Sequence, residues 1–180
     1  MVDESKTAIV QPRLASAIML LRDMPTGQGI EVFMVRRVIQ SDFMPDVYVF
    51  PGGSVSADDR AAELAEAVCI PVAPSGGDPE GRTVLGSGVR AAAIRELFEE
   101  AGVLLAYRAG AILGIPEEDL EHFDAYRKAF HERRGSLVEM AHAENLMLAT
   151  DHLGYFAHWI TPEGIPKRFD THFFLATAPA

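Results

Sequence analysis

The chain has 180 residues and a mass of 19.6 kDa, a size that fits one domain. Its 48% of hydrophobic and 23% of charged residues exclude a disordered or fibrous class. The formal net charge is −10, and most of it lies between residues 51 and 150. This charge excludes a non-specific nucleic-acid binder, because an acidic surface repels phosphates unless divalent cations intervene.

The cellular location is inferred from what the sequence lacks. One cysteine, Cys69, permits no internal disulfide and predicts a reducing compartment. No apolar run reaches the ~18 residues of a membrane span, and the N-terminus carries no signal-peptide pattern. The sequence therefore predicts a cytoplasmic protein without a membrane partner.

The first half of the chain predicts a flexible tail, strands and one helix. Residues 1–12 read as the tail, and the turn-rich residues between the first two apolar runs indicate a hairpin. Residues 70–88 are rich in proline and glycine and predict a loop. The predicted strands are Leu14–Arg22, Ile30–Arg36 and Val47–Phe50, the last ended by Pro51-Gly52-Gly53, and the predicted helix is Ala57–Val68 with Ser56 as its N-cap.

The second half predicts three helices followed by two strands. The helices are Arg90–Ala101, which ends at Gly102, then Glu117–Arg133 and Leu137–Ala149, and the strands are Tyr155–Ile160 and Phe169–Ala176. Strands on both sides of the helices, without regular alternation, predict an α/β fold of the α+β type with a mixed sheet.

The helix predicted from Arg90 carries an unusual group of acidic side chains. Glu96, Glu99 and Glu100 lie at positions i, i+3 and i+4, roughly opposite an apolar stripe formed by Ile94, Leu97, Phe98 and Ala101. Such carboxylates repel one another. They indicate either a solvated acidic face or a site for a hard divalent cation such as Mg²⁺ or Mn²⁺. Gly52 and Gly53 after a strand favour the second interpretation, because backbone without side chains can approach a ligand closely.

These residues resemble a known family motif. The sequence from Arg95 to Val103, Arg-Glu-Leu-Phe-Glu-Glu-Ala-Gly-Val, matches the second half of the Nudix box, and Gly52-Gly53 resembles the start of its first half. Gly53 precedes Arg95 by 42 positions instead of the fourteen of the family pattern, which places 28 extra residues within the box. The sixth residue after Gly53 is Asp59, an acid but not the Glu of the family pattern.

Further segments resemble one branch of the Nudix hydrolases, the coenzyme A and acyl-coenzyme A diphosphatases. They are Phe43 to Gly53, Trp159 to Pro162, Lys167 to Thr171 and Phe173 to Leu175. The resemblance implies a single Nudix-type α/β/α sandwich over residues 13–180. That domain would carry an insertion at about residues 60–88 and a helical segment at about residues 117–150.

The resemblance also implies an activity and its residues. Nudix enzymes hydrolyse a nucleoside diphosphate linked to another moiety, through attack of water on phosphorus with Mg²⁺ or Mn²⁺ bound. By analogy the metal ligands are Glu99, Glu100, the Gly52 carbonyl and Glu96, and Glu96 is also the candidate general base. Arg95 is expected to orient Glu99 across one helical turn. Arg36, Arg37 and Gly53 are the candidate substrate contacts.

Several alternatives stay open at this point. The substrate is expected to be coenzyme A or acyl-coenzyme A, but ADP-ribose, NADH and diadenosine polyphosphates are alternatives, as is a non-catalytic nucleotide-binding module. A homodimer is possible. The chain stops soon after its last predicted strand, so the closing C-terminal elements of a Nudix domain are expected to be missing, with Asp170 as a candidate replacement ligand. The six histidines are interpreted as surface or packing residues and Trp159 as core.

Overall fold

The computed structural model of the chain describes residues 10–37, 46–72 and 86–179. The sequence predictions for residues 1–9, for Phe43 to Pro45 and for the middle of the insertion therefore lie outside the described residues. The strands are β1 (Arg13–Asp23), β2 (Ile30–Val32), β3 (Val35–Arg36), β4 (Tyr48–Val49), β5 (Gly52–Ser54), β6 (Ala106–Arg108), β7 (Ala111–Ile112), β8 (Leu146–Leu148), β9 (Gly154–Ile160) and β10 (Phe169–Thr177). The helices are α1 (Ala57–Leu64), α2 (Val89–Ala101), α3 (Leu120–His131) and α4 (Leu137–Ala143).

The main sheet is mixed, as the sequence predicts. Its strand order is β2-β1-β10-β9, with β5 also paired to β1. The long strands β1 and β10 run parallel, whereas β2, β5 and β9 are antiparallel to their neighbours. None of the described helices is long and apolar enough to cross a membrane.

One strand prediction in the first half needs correction, and one strand was not predicted. The predicted strand Ile30–Arg36 is two strands: β2 continues the hairpin with β1, and β3 turns away to pair with β4. The strand before Pro51-Gly52-Gly53 ends as predicted, at Val49, and the glycines themselves begin a further strand, β5, which pairs with β1. A Cβ on Gly52 would lie 2.5 Å from the Ser16 carbonyl oxygen, so only glycine permits this strand to approach so closely.

The last two helices of the second half are shorter than predicted. Residues Glu117–Asp119 form a 3₁₀ turn before α3, and α4 ends at Ala143 instead of Ala149. Asn145 then has a φ of 52°, which ends helical geometry, and the next residues form β8 in a small sheet with β6 and β7. The predicted helix Ala57–Val68 likewise ends early, at Leu64.

The helix α2 lies at the centre of the core. Ile94, Leu97 and Phe98 are completely buried, which confirms the apolar stripe. The Phe98 ring meets the rings of Phe123 and Phe130 edge-on, with centroids 6.3 and 6.1 Å away, and so packs α3 against α2. The helix ends as predicted at Gly102, which is left-handed with a φ of 73°. Packing on one face of α2 therefore fixes the direction in which its other face points.

The N-terminus of α2 is capped by a side chain from another helix. Gly88 is the N-cap residue and has no side chain to accept a hydrogen bond. The buried carboxylate of Glu63 in α1 instead accepts from the backbone N–H groups of Gly86, Gly88, Arg90 and Ala91, at 2.7 to 3.2 Å. A negative charge at this end also complements the helix dipole.

Removing this carboxylate is expected to destabilise the fold. Glu63→Ala leaves four backbone donors without their acceptor and should lower the free energy of unfolding by about 2 to 4 kcal/mol. Urea unfolding of the metal-free chain measures the effect. Glu66→Ala is the matched control, since Glu66 is exposed two residues beyond α1 and should change stability by less than about 0.5 kcal/mol. Equal effects of the two substitutions would contradict the capping role of Glu63.

Candidate active site

Two carboxylates of α2, those of Glu96 and Glu100, approach the glycine pair of β5, and a third, that of Glu99, shares Arg95 with Glu96. Because Ile94, Leu97 and Phe98 are buried, the opposite face of the helix carries the three glutamates, and two of them reach the strand. The Gly52 N–H donates to Glu100 Oε2 at 3.3 Å. A Cβ on Gly53 would lie 2.2 Å from Glu96 Oε1, so the absence of a side chain at Gly53 is what lets the helix carboxylate reach the strand. The structure thus brings together the residues predicted as the metal site.

Arg95 uses all five of its N–H groups within the protein. Its Nε and Nη2 atoms donate to the two carboxylate oxygens of Asp59 at 2.8 and 3.1 Å, and Nη2 also reaches the Ser54 carbonyl at 3.1 Å. Its Nη1 atom donates to Glu96 at 2.8 Å and to Glu99 at 3.1 Å. With five donors engaged, Arg95 has none left for a substrate. This geometry favours the predicted role of orienting Glu99.

Asp59 is a site residue whose role the sequence did not predict. It is completely buried, and it also closes the capping box of α1, since Ser56 N donates to Asp59 Oδ2 at 2.7 Å. One carboxylate therefore fixes both the start of α1 and the guanidinium of Arg95. In the sequence, only its position six residues after Gly53 indicates that Asp59 belongs to the site. A pattern search that requires Glu at that position overlooks it.

Burial and mutual repulsion shift the acidity of the site. Burial raises the pKa of Glu96, which the charge of Arg95 opposes without cancelling. Burial, followed by the charge of Glu96, raises the pKa of Glu100 to about 7. Burial alone would lower the pKa of Arg95, but its hydrogen bond to Asp59 and the neighbouring carboxylates hold it above its usual value. A site with raised carboxylate pKa values is one that a bound cation would stabilise.

The raised pKa of Glu100 predicts how the metal-free chain responds to pH. A folded-state pKa of about 7, above that of the unfolded chain, means that the folded state binds the proton more tightly. The free energy of unfolding should therefore fall as the pH rises from about 4.5 to about 7.5. The fall should be only about 1 kcal/mol, because Glu100 is exposed and solvent screens its charge. Urea unfolding in EDTA across this range measures the slope.

Glu100→Gln should reduce this slope, because the amide does not titrate, and the remaining slope would come from Glu96, whose pKa is also raised. Glu66→Gln, which replaces an exposed carboxylate outside the site, should keep it. A slope that is identical in wild type and Glu100→Gln would show that Glu100 does not carry this pH dependence.

His131 is a second neighbour that the sequence did not single out. Its Nδ1 atom lies 3.2 Å from Glu99 Oε1, on the side of Glu99 that Arg95 does not occupy. The histidine comes from the last turn of α3, which Arg127 holds by donating to the Phe98 and Glu99 carbonyls at 3.1 and 3.3 Å. No spacing in the sequence indicates this approach, because it depends on how α3 packs on α2.

The two predicted substrate arginines lie in different surroundings. The charge of Arg37 acts on Glu100 and lowers its pKa, although burial and the neighbouring carboxylates outweigh this effect. Arg36 is exposed and paired with Asp46, with Nη2 2.6 Å from Oδ1. Asp170, the candidate replacement ligand, lies on β10 beside two histidines. Trp159 is 71% exposed, so its prediction as a core residue is wrong.

Comparison with known proteins finds relatives that are named acyl-coenzyme A diphosphatases or nudix hydrolases. The acyl-coenzyme A diphosphatase NUDT19 of Gallus gallus is 30% identical over 181 residues, covering 81% of this chain and 47% of that protein. The human protein of the same name is 29% identical over 188 residues, covering 84% of this chain and 48% of that protein. The chain therefore spans about half the length of the curated relatives it matches. No protein-family model matches it.

A solved structure has the same fold. The crystal structure of a Nudix hydrolase from Alicyclobacillus acidocaldarius superposes with a TM-score of 0.70 and 25% identity, covering 94% of this chain and 71% of that one. This agreement confirms the predicted fold class of mixed α/β type.

Proposed function

We infer a function from the premise that this chain is related to the Nudix hydrolases and resembles their acyl-coenzyme A diphosphatase branch. The proposed function is metal-dependent hydrolysis of the diphosphate link in a nucleoside diphosphate derivative, with coenzyme A or acyl-coenzyme A as substrate. The substrate class rests on the names of the relatives and on the sequence segments that resemble the coenzyme A branch.

The observation that carries the proposal is the charge of the site. Glu100 and Glu96 approach Gly52 and Gly53. Arg95 donates to Asp59, Glu96 and Glu99 and so joins Glu99 to the same group. The local charge remains strongly negative, which by itself would repel a diphosphate. A divalent cation would relieve the repulsion among the carboxylates, because it binds their oxygens. It would also attract the phosphate groups of the substrate. The residues present therefore fit Mg²⁺ or Mn²⁺, with Glu99, Glu100 and the Gly52 carbonyl as the proposed principal ligands and Glu96 as a further one.

The proposed reaction assigns a role to each residue. The bound cation supplies neutralisation of the diphosphate charge and activation of water. Glu96 accepts the proton of the attacking water, and its hydrogen bond from Arg95 holds the carboxylate in place. The water oxygen forms a bond to one phosphorus while the bridging P–O bond breaks, and the bridging oxygen leaves with the other phosphate. Arg95 holds Glu96 and Glu99 in place, and Arg37 is the better placed of the two arginines to contact the diphosphate.

Product analysis tests the proposal directly. The chain is incubated with coenzyme A, acetyl-coenzyme A, ADP-ribose and NADH, each with Mg²⁺, Mn²⁺ or EDTA, and the products are identified by mass spectrometry. We expect 4′-phosphopantetheine and adenosine 3′,5′-bisphosphate from coenzyme A, only with metal. Cleavage of ADP-ribose or NADH instead would overturn the substrate and keep the chemistry. Nucleotide binding without any turnover would favour the non-catalytic module.

A further inference from the structure

A second group of metal-ligating side chains lies on the main sheet. His158 on β9 and Asp170 and His172 on β10 place their ligand atoms within 4.8 Å of one another. His158 Nε2 is hydrogen-bonded to Asp170 Oδ1, and His172 Nε2 lies 3.8 Å from the same oxygen. The two imidazole rings stack with centroids 4.6 Å apart. Both histidines thus direct the same ring nitrogen toward one carboxylate oxygen.

This group is largely enclosed by the sheet and its neighbours. His172 is 3% exposed, and the side chain of His158 is 11% exposed. The carboxylate of Asp170 is more open, with 31% of its side chain exposed. The backbone beneath the group is regular, since His172 pairs with His158 on one side and with Ser16 on the other. The ligand atoms are therefore held by two hydrogen-bonded strands instead of by a loop.

The register of the sheet separates this group from the carboxylates of α2. Gly53, Ser16, His172 and His158 form one row across β5, β1, β10 and β9. Adjacent strands are about 4.8 Å apart, so His172 lies about 10 Å from Gly53, against which Glu96 packs. Two cations that act together on one phosphate lie about 4 Å apart. The histidine group is thus a separate site on the same face of the sheet.

We propose that His158, Asp170 and His172 bind a transition-metal cation of the Zn²⁺ class. Two imidazole nitrogens and one carboxylate oxygen are the donor set that such cations prefer, whereas Mg²⁺ prefers oxygen ligands alone. Ligands of a tetrahedral zinc ion lie about 3.3 Å apart, a separation that follows from Zn–N and Zn–O bonds of about 2 Å. The pair of His172 and Asp170, at 3.8 Å, is already near that separation. The cation would replace the proton that His158 and Asp170 share.

A cation at this site would hold β9, the outer strand of the sheet, against β10. In the described part of the main sheet β9 pairs with β10 alone, and their ladder is irregular between Phe173 and Phe174. The same strand exposes Phe156, Trp159 and Ile160. A cation coordinated by both strands would cross-link them beside this irregularity. We therefore expect Zn²⁺ to stabilise the fold without taking part in hydrolysis.

The test must exclude Zn²⁺ binding by the first site, because His131 approaches Glu99 there. Zn²⁺ binding is measured by isothermal titration calorimetry on the Glu99→Gln/Glu100→Gln chain, in which the first site is disabled. We expect one bound Zn²⁺ per chain and no comparable Mg²⁺ binding. Adding His158→Ala should weaken the affinity by about a hundredfold or more, since a direct ligand is lost. Adding His122→Ala is the matched control, because His122 is an exposed histidine also hydrogen-bonded to a carboxylate, that of Glu144, and should change nothing.

A second measurement avoids any dependence on folding of the variants. In wild-type chain labelled with ¹⁵N-histidine, Zn²⁺ should shift the ring-nitrogen resonances of His158 and His172, whose Nε2 atoms both face Asp170. Zn²⁺ affinity unchanged by His158→Ala, or shifts confined to His131, would overturn the proposal. In that case the three residues form a hydrogen-bonded network without a metal.

Discussion

Glu100→Gln is expected to lower metal-dependent turnover by about a thousandfold. A bound cation contributes several kcal/mol of charge stabilisation in the transition state, and each 1.36 kcal/mol corresponds to about a tenfold change in rate. The glutamine side chain keeps the shape of the glutamate, and its carbonyl can still accept from the Gly52 N–H. The substitution therefore removes charge while preserving the local hydrogen bond.

The same variant separates catalysis from stability. At neutral pH without metal, Glu100→Gln should be more stable than the wild type by about 1 kcal/mol, because a partly desolvated charge beside Glu96 and Glu99 is removed. Turnover is measured against metal concentration, and stability by urea unfolding in EDTA. Glu66→Gln should change neither quantity. A Glu100→Gln chain with wild-type turnover at every metal concentration would exclude Glu100 as a metal ligand.

Asp59→Asn is expected to give the largest loss of stability from a single substitution in the site. The Asp59 carboxylate is fully buried and pairs in a bidentate manner with Arg95, whose side chain is only 12% exposed. Removing one partner of a buried ion pair costs about 3 to 5 kcal/mol. We expect the lower end, about 3 kcal/mol, because Arg95 keeps its contacts with Glu96 and Glu99. Thermal or urea unfolding of the metal-free chain measures the loss.

A second measurement distinguishes a role of Asp59 in positioning Arg95 from a general loss of protein stability. Asp59→Asn should also weaken metal activation at a temperature where the chain is still folded, because Arg95 then holds Glu96 and Glu99 less firmly. Substrate KM at saturating metal should change much less. The matched control is Asp124→Asn, since Asp124 pairs with Arg127 on the surface with 45% of its side chain exposed, and should cost less than about 1 kcal/mol. If both substitutions have equal effects on stability and metal activation, Asp59 has no special role.

The elements that the sequence predicted well are those encoded by contiguous residues. The helix α2 and its stop at Gly102 follow from apolar spacing and a glycine, and β1, β9 and β10 follow from long apolar runs. The short strands β5 to β8 were not predicted. Two or three residues carry no periodic signal, and such strands exist only because a partner strand lies beside them.

The candidate site likewise has features that the sequence determined and features that only the tertiary structure determined. By itself the sequence determined that three carboxylates share one side of α2 and that a glycine pair follows a strand, because helical periodicity and local turns act over a few residues. Only the tertiary structure decided that Asp59 holds Arg95, that Glu63 caps α2 and that His158 meets Asp170 and His172. These contacts join residues from 12 to 36 positions apart, or lie across neighbouring strands. They depend on how helices and strands pack, and packing is set by the whole core instead of by any local pattern.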